Sequence, residues 1–180
     1  ENFQPTVLNI LEVGMGTGLN VLLSYINWEQ SGTSIPIWYT ALEPYPLQKE
    51  ITEQLNFLHH IQRPDYQSVF NGIHKSPWNR EIQLSDHFKL IKINKKLENF
   101  ESEKYYNLIY FDAFAPNKQA AMWQIDAINL IKQKMAQMGV LVTYAAQGQF
   151  KRDLHDLGFK VETLVGPPGK AEMVRATLTK

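Results

Sequence analysis

The sequence contains no cysteine. Disulfides and thiolate zinc sites are therefore excluded. It carries no net charge, because 18 Lys and Arg offset 18 Asp and Glu. A strong non-specific nucleic-acid binder needs a basic excess, so that class is set aside, though a local RNA-contacting patch is not. No apolar run approaches the ~20 residues that span a bilayer. No charged-then-apolar secretory signal opens the chain. Repeats, low-complexity tracts and linkers are missing as well. The expected compartment is the cytoplasm. The chain also lacks an initiator Met and reaches its first strand almost at once, which predicts a fragment or a trimmed chain. The five histidines include the adjacent pair His59-His60. Facing helical pairs are three or four apart, so no metal site is expected.

What is present suits one domain over residues 1–180. Its 44% apolar content fits a packed core. The most informative stretch is Leu11-Glu12-Val13-Gly14-Met15-Gly16-Thr17-Gly18-Leu19-Asn20. An apolar run feeds into three glycines at alternate positions, and a helical pattern follows. Glycines permit a sharp turn and close approach of backbone to a ligand. The helix start presents free N–H groups to polar atoms. The third glycine arrives one residue early for the dinucleotide fingerprint G-x-G-x-x-G, which disfavours a nicotinamide oxidoreductase.

Apolar runs alternate with helical patterns, as in a mostly parallel α/β sheet. Strands are expected at Val7–Val13, Ile35–Leu42, Tyr105–Phe111 and Gly139–Thr143. Glu81–Leu84 and His87–Ile93 read as a local antiparallel pair around Ser85-Asp86. Val161–Val165 and Met173–Leu178 read as a closing hairpin around Gly166-Pro167-Pro168-Gly169. Helices are expected at Gly18–Glu29, Leu47–His60, Gln119–Ala136 and Gln149–Leu157, the last ended by Gly158. Arg63–Asn79, with Pro64, Gly72 and Pro77, reads as irregular.

Three acids fall at strand ends, where open α/β sheets bind ligands. Glu12 ends the first strand, Glu43 the second, and Asp112 the strand before the long helix. A carboxylate after the second strand is placed to accept both hydroxyls of a ribose. Asp112 lies between aromatics in Tyr110-Phe111-Asp112-Ala113-Phe114-Ala115-Pro116, where Phe114 and Pro116 would wall a cleft. Structural roles compete for each: Glu12 as a loop-ordering carboxylate, Glu43 as a solvated strand end, Asp112 as a turn cap.

Glu12-Val-Gly-Met-Gly-Thr-Gly-Leu-Asn20, Phe111-Asp-Ala-Phe-Ala-Pro-Asn-Lys118, Met122-Trp123 and Gly166-Pro-Pro-Gly-Lys170 with Glu172-Met173 together resemble one family. It is the methyltransferase domain of MnmC, the tRNA 5-methylaminomethyl-2-thiouridine biosynthesis enzyme, with its single-domain relatives. Gly72-Ile73-His74 resembles a further short family pattern. The resemblance implies a Rossmann-like class I fold dependent on S-adenosyl-L-methionine (SAM), with a mostly parallel twisted sheet, helices on both faces and a C-terminal antiparallel hairpin. It implies methylation of the aminomethyl nitrogen on a wobble 2-thiouridine in the tRNA anticodon region. Glu12, Gly14, Gly16, Gly18, Asn20, Glu43, Asn94 and Asp112 are the implied cofactor contacts, with Asp112 also beside the methyl group and the amine. Phe114, Pro116, Lys118, Tyr144 and Lys170 are the implied substrate contacts. Phe114 and Tyr144 would stack on the uracil. Lys118, Lys151, Arg152, Lys170 and Arg175 are candidates for phosphate contacts or for an ordinary solvated face.

The chain departs from the family pattern in places. Asn94 stands where an Asp is usual, at the position implied to meet the adenine amino group. Ala120 and Ala121 replace a Pro and an acid. Ala145, Gln147 and Ala171 replace Cys, Lys and Arg. On this resemblance the chain is expected to lack the family segment before the first strand and a flavin oxidase domain, and a separate FAD-dependent oxidase is a candidate partner. Two alternatives share these residues: SAM-dependent methylation of a small-molecule amine, and a non-catalytic SAM-binding module.

Overall fold

A computed structural model describes residues 5–113, 119–166 and 169–179. The first strand, β1 (Leu8–Val13), alternates its side chains between two faces. Ile10 joins one apolar cluster, and Leu11 and Val13 the other. It is followed by α1 (Leu19–Ser31), β2 (Ile37–Leu42), and the short helices α2 (Lys49–Thr52) and α3 (Phe57–His60). Helix α4 (Gln67–Lys75) leads to strands β3 (Glu81–Ser85), β4 (Phe88–Ile93) and β5 (Tyr106–Phe111). The chain closes with α5 (Ile125–Lys132), β6 (Met135–Thr143), α6 (Gly148–Asp156), β7 (Phe159–Val165) and β8 (Glu172–Leu178).

Eight strands form one sheet in the order β3-β4-β2-β1-β5-β6-β8-β7. The five central strands run parallel, while β3, β8 and the β7–β8 hairpin are antiparallel additions. On one face, α1 and α4 bury Leu22, Tyr25, Phe70 and Ile73 against Tyr39, Phe88 and Leu90. On the other, α5 and α6 bury Ile128, Ile131, Phe150 and Leu154 against Phe111, Leu141 and Val174. Each such side chain contributes ~1.5–3 kcal/mol by leaving water. From β1 the chain goes to β2 on one side, and β5 later returns on the other. That reversal opens a crevice beyond the strands' carboxyl ends. Among the described residues no helix is long and apolar enough to cross a membrane.

Three expected elements differ. The helix expected over Leu47–His60 is two single turns, α2 and α3, separated at residues 53–56. Of their residues only Leu58 is buried, so no apolar stripe holds a longer helix to the sheet. The segment expected to be irregular over Arg63–Asn79 contains a 3₁₀ turn at Pro64–Tyr66 and then α4. Tyr66, Phe70 and Ile73 fall on one helical face and are buried. Pro77 forces Ser76 into an extended conformation (ψ 145°) and ends the helix there. The helix expected over Gln119–Ala136 is a 3₁₀ turn at Ala120–Trp123 followed by the shorter α5, and β6 begins at Met135. The strand that takes up the end of this segment is irregular: its pairing with β5 shifts between Tyr106 and Leu108, and Met138 has φ 61°. The C-terminal hairpin and the stop at Gly158 (φ 85°) are as expected.

Candidate active site

The carboxyl ends of β1, β2 and β5, with the segment after β4, enclose a cleft of about 470 Å³. Gly14, Gly16, Glu43 and Asp112 all line it, so four of the expected residues converge. Leu42, Leu97, Met122 and Leu130 add an apolar wall, and Tyr45 stands at its edge.

The glycine turn has two distinct requirements. Gly14 has φ 93°, and a Cβ there would lie 2.6 Å from the Asp112 carbonyl oxygen. Its missing side chain lets β1 and β5 close together, and the Asp112 N–H donates to the Val13 carbonyl at 3.0 Å. Gly16 has φ 51°, but nothing lies within 4 Å of a Cβ placed on it. Here the glycine leaves room on the cleft side. The Gly16 N–H donates to Glu43 Oε2 at 2.9 Å, and the Tyr45 N–H donates to Oε1 at 2.9 Å. Glu43 is thereby fixed, and each of its oxygens keeps acceptor capacity for a hydroxyl.

Gly18 (φ 71°) lies beneath the turn as the N-cap of α1. A Cβ there would lie 3.2 Å from Met15 Cε and 3.5 Å from His74 Cε1. His74, on α4, braces the turn from below. Burial and the nearby Lys92 charge push its pKa down. Lys92, also buried, is pushed down to about 8 by burial and donates to the His74 carbonyl at 3.1 Å.

Glu12 is not in the cleft. It is fully buried behind the turn, where Tyr39 Oη donates to Oε2 at 3.1 Å and Asn20 Nδ2 to Oε1 at 2.9 Å. Burial pushes its pKa up to about 8, against the lowering effect of these hydrogen bonds. Asn20 Nδ2 also donates to Asp112 Oδ2 at 3.1 Å. Asp112 is reachable from the cleft yet backed by protein, and burial raises its pKa. Its Oδ1 is the oxygen that Asn20 does not hold.

The Asn94 Nδ2 donates to the Glu43 and Pro44 carbonyls at 2.9 and 3.2 Å, so it ties down the loop after β2 beside the cleft, which Lys95–Glu98 line next to it. Tyr144 is half-buried and donates to the Ala113 carbonyl at 2.7 Å, next to Asp112. Lys170 Nζ lies 4.9 Å from the Tyr144 ring centroid. Phe114, Pro116 and Lys118 lie outside the described residues. Lys151 and Arg175 are engaged with Glu172 and Glu162, both at 3.1 Å, and Arg152 with Gln149. Sequence reasoning missed Tyr45, Leu97 and Leu130; the strand-end rule could have found the first two, which follow β2 and β4.

A cleft with a glycine turn, a fixed carboxylate and an apolar wall suits a nucleoside, and the open side of Gly16 leaves the space for one. Residues 53–179, well over half of the chain, match the family described as S-adenosyl-L-methionine-dependent methyltransferase. The chain belongs to this family. Its cofactor is SAM, and the cleft residues fit it. Among relatives of this methyltransferase is the tRNA 5-methylaminomethyl-2-thiouridine biosynthesis bifunctional protein MnmC of Idiomarina loihiensis, 27% identical, with 92% of this chain aligned to 29% of that protein. The protein of the same name from Hydrogenovibrio crunogenus is also 27% identical, over 96% of this chain and 27% of its own. The chain thus spans under a third of these relatives. The crystal structure of MNMC2 from Aquifex aeolicus superposes with a TM-score of 0.72 at 22% identity, covering 97% of this methyltransferase and 54% of that chain. A methyltransferase from Pyrococcus furiosus gives a TM-score of 0.59 at 14% identity, over 99% and 78%. These two likenesses carry the fold, a class I methyltransferase sheet with the antiparallel β6-β8-β7 edge.

Proposed function

We propose that this methyltransferase acts on tRNA, transferring a methyl group to the aminomethyl nitrogen of a wobble 2-thiouridine. The observation that carries the reading is Asp112 at the end of β5. It stands at the cleft with one oxygen held by Asn20 and with Tyr144 and Lys170 nearby, in a chain similar along 92% of its length to a protein named for that nucleoside. Glu43 accepts the ribose hydroxyls, Gly14 and Gly16 admit the methionine and ribose end, and the apolar wall takes the adenine. Bound there, SAM supplies an electrophilic methyl on a sulfonium.

Most of the catalysis is placement. An alkylamine is largely protonated at neutral pH, like lysine. Asp112 accepts a hydrogen bond from the amine and aims its lone pair in line with the methyl–sulfur bond. The proton released by the incoming ammonium passes to Asp112 or to water. With SAM bound, the nitrogen–carbon bond would form as the sulfur–carbon bond broke, moving the positive charge from sulfur to nitrogen and leaving S-adenosylhomocysteine. A carboxylate also stabilises the ammonium and opposes attack. Asp112 is therefore an orienter and proton acceptor rather than a strong base. Tyr144 offers a face on which the base can stack. In this reading an FAD-dependent oxidase prepares the aminomethyl group, and the compartment is the cytoplasm.

The test is label transfer from methyl-labelled SAM to three acceptors: tRNA carrying the aminomethyl group, tRNA lacking it, and simple primary amines. Transfer to the first alone is expected. Efficient transfer to small amines with none to tRNA would replace this reading with a small-molecule methyltransferase.

A further inference from the structure

Glu12 has no role in the chemistry above, yet it is fully buried directly behind it. Each of its oxygens receives one neutral donor, Asn20 on Oε1 and Tyr39 on Oε2. The charges that face it have its own sign. They are Glu43, which follows β2, and Asp112, which follows β5. The neutral phenol of Tyr39 on β2 also faces it, with Tyr110 of β5 stacked 6.4 Å from Tyr39. Helix α1 contributes Asn20, and Ser24 donates to Tyr110 Oη. Among the described residues no ion pair reaches Glu12.

A buried carboxylate with only neutral donors and two like charges is costly, whereas a neutral carboxyl in the same place is not. Its carbonyl oxygen still accepts from Asn20, and its hydroxyl can donate to the Tyr39 oxygen, so protonation keeps both contacts. The Asn20 amide has two hydrogens. One goes to Glu12 and the other to Asp112 Oδ2. The hold on Asp112 is therefore only as firm as the hold on Asn20.

We propose that Glu12 is a positioning residue for methyl transfer: in its neutral form it anchors Asn20, and Asn20 aims the Asp112 carboxylate at the acceptor nitrogen. The inference rests on the reading of Asp112 given above. Neutrality matters for a second reason. An ionised Glu12 behind Asp112 would make Asp112 hold a proton more tightly. With Glu12 neutral that repulsion is absent, which favours the Asp112 anion that receives the amine. Burial, which pushes the Glu12 carboxyl up to about 8, acts in this direction.

The test uses the full-length protein as wild type, Glu12→Gln, Glu12→Ala and Asp112→Asn. Carbon-13 NMR of labelled glutamate carboxyls follows Glu12 from about pH 5 to about pH 9 with no acceptor present, the Glu12→Gln spectrum assigning its signal. Calorimetry gives SAM affinity, and single-turnover label transfer to aminomethyl-bearing tRNA gives the rate. Glu12 is expected to stay protonated through neutrality. Glu12→Ala is expected to slow transfer at least about tenfold with SAM affinity within about twofold, and Glu12→Gln to rescue the rate to within about threefold of wild type. Titration of Glu12 below about pH 6, or a Glu12→Gln enzyme as slow as Glu12→Ala, overturns the proposal, because Glu12 would then act as an anion. A loss of SAM affinity in Glu12→Ala parallel to the loss of rate overturns it too, since that is the mark of a scaffold residue. Wild-type turnover in Asp112→Asn removes the reading of Asp112 and this proposal with it. A slow Asp112→Asn beside a fast Glu12→Ala overturns the proposal alone.

Discussion

The Gly16 backbone N–H donates to Glu43 Oε2 at 2.9 Å, joining the turn after β1 to the acid after β2. The two are 27 residues apart in sequence, and parallel pairing of Val13 with Leu42 brings them together. The same carboxylate shapes the turn and faces the cleft. A change at Glu43 therefore acts on the pocket twice, through a lost hydroxyl acceptor and through a loosened turn.

Glu43→Ala is expected to weaken SAM and S-adenosylhomocysteine binding by about tenfold to a hundredfold, the range for losing charge-assisted hydrogen bonds of about 1.5–3 kcal/mol. Glu43→Gln keeps one acceptor oxygen and should fall between. Calorimetric titration of both ligands measures this. Undiminished affinity in Glu43→Ala would remove Glu43 from the cofactor pocket.

Gly14→Ala and Gly16→Ala should separate folding from binding. At Gly14 the new methyl would meet a backbone oxygen at 2.6 Å on top of a positive φ. A loss of at least about 2 kcal/mol of stability is expected, with Asp112 displaced. At Gly16 the methyl enters open space, and only the left-handed backbone is penalised, by about 1–2 kcal/mol. There the larger effect should be on SAM affinity, because the methyl occupies the ligand's side. Thermal melts beside calorimetry distinguish the two. Equal effects of both substitutions on both readouts would contradict the division of labour.

Much of this arrangement was legible in the sequence because it depends on period and punctuation. The run into Gly14-Met15-Gly16 marks a strand entering a turn, and Glu43 and Asp112 end apolar runs of strand length. Other parts were harder to read. Tyr66, Phe70 and Ile73 have helical spacing, but Pro64, Gly72 and Pro77 crowd that short segment and hid α4. The irregular start of β6 depends on how Gly139 meets Tyr106, whose carbonyl would lie 3.0 Å from a Cβ on that glycine. The position of Glu12 was beyond reach for another reason. A strand-end residue lines the crevice or turns away from it according to partners on neighbouring strands, and Glu12 found Tyr39 and Asn20. The hold of Asn94 on the Glu43 and Pro44 carbonyls likewise depends on residues about 50 positions away.

Asn94→Asp tests the second of those placements. The amide donates to two carbonyls, and a carboxylate in the same spot would face their oxygens with no hydrogen to offer. The variant should lose about 1–3 kcal/mol of stability near neutral pH. SAM affinity should not improve, because Lys95–Glu98 line this side of the cleft. Urea unfolding and calorimetry provide the two numbers, and tighter SAM binding with unchanged stability would return this position to the adenine site.

Tyr144→Phe removes the hydroxyl that donates to the Ala113 carbonyl at 2.7 Å. The loss loosens the residue that follows Asp112 without touching Glu43 or the glycine turn. The expected outcome is a single-turnover rate reduced by roughly threefold to tenfold, with SAM affinity nearly unchanged, from the loss of about 1 kcal/mol of positioning. An equal fall in SAM affinity would place Tyr144 in the cofactor pocket instead.

The buried Glu12 also predicts how stability depends on pH. Its carboxyl is raised from an ordinary value of 4.5 to about 8 by burial. Between those values the folded protein holds a proton that the unfolded chain releases, so stability falls as pH rises. The contribution is complete below about 4.5 and exhausted above about 8. Glu12→Gln removes the titration and keeps both hydrogen bonds. The variant should therefore match wild type near the acid end and become progressively more stable than wild type toward pH 8, by up to a few kcal/mol at ~1.4 kcal/mol per unit. Taking the difference between the two proteins at each pH cancels the other carboxylates, which titrate alike in both. A difference in melting temperature that stays flat across this range would mean that Glu12 is already ionised in the folded protein. The Asn20 amide would then bridge two anions.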